Sequence, residues 1–70
     1  MTTPYERTRA LVETRRFLEQ LSSGRLASAS LTHLQYVADS LLRHYPDEAN
    51  VRFTAQVLPL LWAEPGAPRA

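Results

Sequence analysis

The tetrapeptide Thr3-Pro4-Tyr5-Glu6 constrains this chain most, because three of its four residues are what an α-helix start requires. Thr3 suits the N-cap, where its hydroxyl accepts from a backbone N–H that has no helical partner. Pro4 falls at the first helical position, where a missing N–H costs nothing. Glu6, three residues after the cap, completes a capping box and sets negative charge at the positive end of the helix dipole. A helix is therefore predicted from Pro4, and Leu11, Thr14, Phe17, Leu18 and Leu21, flanked by Ala10, share one face and carry it to about Ser22. Gly24 is placed to close it as a left-handed C′ residue. Arg7 sits at the end of the apolar stripe, either snorkelling outward or pairing with a carboxylate across an interface.

Residues 25–30 are short, Ser- and Ala-rich, and read as a linker in which Ser28 or Ser30 caps the next helix. The second helix is predicted over 31–45, with Leu31, Leu34, Val37, Ala38, Leu41, Leu42 and Tyr45 as its apolar face. Pro46 disfavours helical geometry in the residue before it and ends the helix. Asp47 then caps a third helix over about 48–58. Residues 51–57 also alternate in the manner of a strand. The helical reading is preferred because Asp47, Ala49, Ala55 and Gln56 support it and a lone strand has no partner here. As a helix it places Ala49, Phe53, Val57, Leu60 and Leu61 on one side. Pro59 ends or kinks it, so Leu60-Leu61-Trp62 is expected as a turn. Residues 63–70, with Pro65, Gly66 and Pro68, are expected as a flexible tail. The expectation is an all-α, small three-helix domain over 1–62: an antiparallel helical hairpin, with the third helix packed across it or against a second chain.

At 70 residues this is one domain whose lone core is marginal. There is no Cys, so neither a disulfide nor a thiolate metal site reinforces it. That favours a homodimer. Eight basic residues, all Arg, against seven acidic ones give a net charge of +1, which offers no broad attraction to nucleic acid or an anionic membrane. No apolar run is long enough to span a bilayer, and no basic stretch precedes an apolar one as in a signal peptide, so a cytoplasmic protein is expected.

Nothing in the chain announces catalysis. There is no Cys nucleophile, no Gly-rich phosphate loop, no Ser in a nucleophile setting and no carboxylate pair apparent on one face. His33 and His44 are about 16 Å apart along one helix at 1.5 Å per residue, too far to share a metal. The expectation is no enzyme, no cofactor and no metal. Arg7, Arg9, Arg15 and Arg16 look like a basic patch, but Glu6, Glu13 and Glu19 interleave with them, and Arg9–Glu13 and Arg15–Glu19 have ion-pair spacing. A small DNA-binding regulator is the alternative reading. Its recognition helix would need groove-reading groups at its start. The third helix offers only Asn50 and Arg52 there, and the second offers Thr32, His33, Gln35 and Tyr36 with no basic residue before Arg43.

Protein binding asks less of the residues. Arg9, Glu13, Arg16 and Gln20 form one polar ridge, and Thr32, Tyr36, Asp39 and Arg43 another. Tyr36 is an aromatic on the solvent side, either covering an aliphatic stem or anchoring a partner; Tyr and Arg are enriched at binding hot spots. Trp62 falls off the third helix's stripe and either packs on the end of the bundle or anchors a partner. The candidate binding set is Arg9, Glu13, Arg16, Gln20, Tyr36, Arg43 and Trp62.

Thr3-Pro4-Tyr5-Glu6-Arg7-Thr8-Arg9-Ala10, Arg16-Phe17-Leu18 and Leu42-Arg43-His44-Tyr45-Pro46 resemble a family of short proteobacterial and Pseudomonas-phage proteins. In size and pattern the chain is also similar to phage-encoded quorum-sensing anti-activators, small helical dimers that bind a LuxR-type transcription regulator of the host. That resemblance implies an inhibitory protein–protein interaction module and transfers no particular site residue.

Overall fold

In a computed structural model, which describes residues 2–68, the capping box forms as its residues require. The Glu6 N–H donates to Thr3 Oγ1 at 3.2 Å, and the Thr3 N–H donates to Glu6 Oε1 at 3.0 Å. Helix α1 runs Pro4–Ser22. Gly24 closes it at φ +81, where a side chain would be strained. The Arg25 N–H donates to the Gln20 carbonyl at 3.1 Å and the Gly24 N–H to the Leu21 carbonyl at 3.3 Å, the paired bonds of a Schellman motif.

Helix α2 spans Leu31–Leu42, and of the two candidate caps Ser30 is the one used, accepting from the His33 N–H at 3.1 Å. It ends three residues short of the expected Tyr45. The Tyr45 N–H turns back to the Leu42 carbonyl at 3.3 Å, so the chain has tightened into a turn before Pro46 is reached. Helix α3 spans Glu48–Val57 and opens with a second reciprocal cap between Asp47 and Asn50. It closes one residue before the expected Leu58, which precedes Pro59 and adopts φ −127. Leu61 and Trp62 then bond back to the Leu58 carbonyl, the expected turn. Of the expected tail, 63–68 contain no helix, and 69–70 lie outside the described residues.

The fold is all-helical, with no strand among the described residues. Helices α1 and α2 pack as an antiparallel hairpin that brings His44, just past α2, onto Glu6 at the start of α1. Helix α3 packs closely against neither. Its orientation departs from expectation. Ala49, Phe53, Val57, Leu60 and Leu61 all face solvent, while Val51 and Thr54 are half-buried and Ala55 is buried. Ala55 is small, and Thr54 satisfies its hydroxyl by donating to the Asn50 carbonyl at 2.8 Å, so this smaller face turns inward at little polar cost.

The expected apolar stripes are likewise only partly covered. On α1, Ala10 is buried and Thr14 and Phe17 are half-buried, but Leu11, Leu18 and Leu21 are exposed. On α2, Leu34, Val37, Ala38 and Leu41 turn inward, whereas Leu31 and Leu42 do not. Among the described residues two side chains are buried outright, Ala10 and Ala55. The chain is a plate, 41 × 31 × 16 Å, with a radius of gyration of 14.6 Å. A packed domain of this length has about 11 Å.

Candidate functional site

The hairpin has two dissimilar sides. On one, an open cleft of about 610 Å³ is lined by Thr3, Tyr5, Glu6, Arg9, Ala10, Glu13, Ser40, Leu41 and His44. Tyr5, Arg9 and Glu13 recur at a spacing of four on α1, so they form a row along one edge of the cleft. Ser40 and His44, also four apart, face them from the α2 side. On the other side lies an apolar groove of about 240 Å³, lined by Thr14, Phe17, Leu18, Ala38, Leu41, Leu42 and Tyr45. Leu41 contributes to both and forms the partition between them.

The polar cleft is organised around Glu6 and His44. Glu6 Oε1 accepts from both the N–H and, at 2.9 Å, the hydroxyl of Thr3, and Glu6 Oε2 lies 3.3 Å from His44 Nε2. These contacts hold the Glu6 carboxyl below its ordinary value. The Thr3 backbone bond acts most strongly, then the Thr3 hydroxyl, and the His44 charge adds to them against slight burial. His44 Nδ1 meets Thr2 Oγ1 at 2.9 Å, and Arg7 donates to the Thr2 carbonyl at 2.9 Å. Thr2 is thus tied both to the end of α2, through His44, and back onto α1, through Arg7. Arg7 is occupied in this local bond.

The ion pairs differ from the expected spacing in one informative place. Glu13 pairs with Arg16 at 2.8 Å, three residues on, and not with Arg9. Arg15–Glu19 forms as expected, at 3.6 Å. Arg9 therefore has no carboxylate partner among the described residues, and it lies exposed in the cleft beside Tyr5. Two carboxylates, Glu6 and Glu13, do share this face, although the sequence reading saw no such pair; each already has a cationic or hydrogen-bonding partner.

Of the expected binding residues, Arg9 and Glu13 meet in the cleft, with Arg16 attached through Glu13. Gln20 is exposed further along α1. Tyr36 on α2 and Arg43, the residue that follows its last turn, are exposed but do not line the cleft; Tyr36 retains 70% of its surface. Trp62 belongs elsewhere, to a second apolar hollow of about 310 Å³ shared with Leu11, Tyr45, Pro46, Asn50, Val51 and Thr54. Tyr5, Ser40 and His44 are the cleft residues that sequence reasoning did not select. The signal available was Tyr5 itself, the one residue of the opening tetrapeptide that helix capping leaves unexplained.

Among the described residues no group of three or more His, Asp or Glu side chains is disposed to hold a metal. No helix among them is long and apolar enough to cross a membrane. Fold and site together define a small all-helical domain with a charged, aromatic cleft on one side and bare apolar surface on the other. In comparisons with known proteins the chain matches no family model, no curated protein and no solved structure.

Proposed function

We propose that this chain is a protein–protein interaction module that, as a cytoplasmic homodimer, inhibits a bacterial host regulatory protein of the LuxR quorum-sensing type. The observation that carries the reading is Arg9, an exposed guanidinium without a carboxylate partner among the described residues, set beside the exposed Tyr5 ring at the edge of an open cleft. An unpaired guanidinium beside an aromatic ring is a ready anchor for a partner carboxylate, and it gives binding without chemistry. The choice of a quorum-sensing regulator rests on the sequence resemblance.

Binding there would block the regulator by occupying surface it needs for its own pairing or for DNA. The DNA-binding alternative draws less support. Asn50, at the start of α3, is spent on the cap, and Arg52 pairs with Glu48 at 3.3 Å.

The test uses a purified LuxR-type regulator on fluorescently labelled operator DNA. Added wild-type chain is expected to release the DNA, and Arg9→Glu to require at least about tenfold more protein. Full operator occupancy at a large excess of the wild-type chain would refute the reading. Salt-sensitive binding of the chain itself to the DNA would replace it with the DNA-binding alternative.

A further inference from the structure

The apolar side of the plate is the largest feature that the polar cleft leaves unexplained. A folded monomer of this mass exposes about 4,400 Å². This chain exposes 6115 Å². The excess is about twice the ~800 Å² per partner that a stable interface hides. The plate is 16 Å through its thinnest dimension, little more than one helix. Domains are built from at least two packed layers, and here the second layer is missing.

Two apolar features of opposite shape are left open. One is concave: the groove between α1 and α2, with Leu18 and Leu42 at its edges and Tyr45 joining it to the hollow under Trp62. The other is convex: the outer stripe of α3, where Phe53 keeps 67% of its surface and Val57 is also exposed, continued by the exposed Leu61 in the turn that follows. At ten residues α3 is below the length at which a helix is stable in water on its own, and its backbone does not come close to that of α1 or α2; only its inner face, at Val51 and Thr54, shares the hollow with Leu11. Two grooves set face to face would enclose voids, and two ridges would touch along a line. A ridge laid in a groove fills both.

We infer that a second copy of this chain covers the apolar side, with the α3 stripe around Phe53 of each protomer seated in the α1–α2 groove around Leu42 of the other. The contact is isologous: the two exchanges are related by a two-fold axis, so the pair closes and does not grow into a fibre. Wheel geometry puts Leu11 and Leu18 on the side of α1 opposite Arg9, Glu13 and Arg16. Self-association therefore leaves the polar cleft open. The inference rests on the homodimer named in the proposed function and adds its interface.

Sedimentation of wild type, Leu42→Arg, Phe53→Glu and an equimolar mixture of the two variants tests it, with helicity checked by circular dichroism. Wild type is expected as a dimer and each variant alone as a helical monomer. The mixture is expected to recover the dimer, because one of its two exchanges is then native and the other pairs Arg with Glu. If a charged variant loses its helicity, Leu42→Ala and Phe53→Ala replace the pair, each expected to weaken the dimer at least about tenfold. A monomeric wild type would overturn the homodimer as well as the interface. A dimeric variant, a mixture of folded monomers that fails to pair, or an alanine variant that dimerises as tightly as wild type would overturn the interface alone. None of these results bears on regulator binding, which the operator assay reads separately.

Discussion

Thr14 supplies the sharpest test of the packing. Its hydroxyl is buried at the floor of the apolar groove and has no hydrogen-bond partner among the described residues. Other helical hydroxyls in the chain do not share this state. Ser40 donates to the Tyr36 carbonyl at 3.0 Å and Thr54 to the Asn50 carbonyl at 2.8 Å, each four residues back. A buried polar group left unpaired costs about 1–3 kcal/mol. Thr14→Val removes that group, keeps the shape, and retains a β-branched residue of similar helix propensity. Because Thr14 is half-buried as a whole residue, the lower end of the range applies, a gain of about 1 kcal/mol. For a domain of this size that raises Tm by about 4–8 °C. The assay is thermal unfolding by far-ultraviolet circular dichroism at one fixed chain concentration, since the proposed self-association would make Tm depend on concentration. Thr14→Ser is the control. It keeps the hydroxyl, loses a methyl, and is expected to melt below wild type. A lower Tm for Thr14→Val would refute the reasoning, because it would mean that the hydroxyl has a partner in solution.

Thr3→Ala removes both the oxygen that accepts from the Glu6 N–H and the hydroxyl that donates to Glu6, and is expected to cost about 1 kcal/mol in urea unfolding; an unchanged midpoint would show that the cap contributes nothing. The Glu6 carboxyl is held below its ordinary 4.5, so it binds its proton more readily in the unfolded chain. Its stabilising effect is complete above that ordinary value and is lost as pH falls through the lowered one. Glu6→Gln should therefore flatten the acid limb of the stability–pH curve, and a limb of unaltered steepness would contradict the assignment.

Helix starts and stops were largely legible because they depend on neighbours in the chain. Thr3, Pro4 and Glu6 are sufficient for the first cap, Gly24 for its Schellman closure, and Asp47 for the third helix, whose residues 51–57 alternate in the manner of a strand. The close of α2 was legible only to within a turn. Pro46 marks the limit, while where the last backbone bonds tighten depends on how the chain turns toward Asp47.

The cleft was legible in part of its lining and illegible in its grouping. Arg9 and Glu13 were visible as a ridge on one helix. That Glu13 turns to Arg16 and leaves Arg9 free is a rotamer choice among neighbours, made where His44, Ser40 and Tyr5 converge. Trp62 was selected as an aromatic off its stripe. Its place beside Leu11 and Tyr45 depends on the path of the turn after Pro59.

By itself, the sequence determined three capped helices and, having no Cys, the absence of a disulfide to reinforce the core. Capping, proline and glycine act over a few residues, so their outcome is written locally. Only the tertiary structure decided which apolar stripe goes inward. The pattern alone favoured Phe53 and Val57 on α3, and the fold buried Ala55 instead. The physical reason is that hydrophobic burial is proportional to area and blind to which surface supplies the cover. A stripe states that it must be covered; the packing of the hairpin decides that its own chain does not cover it.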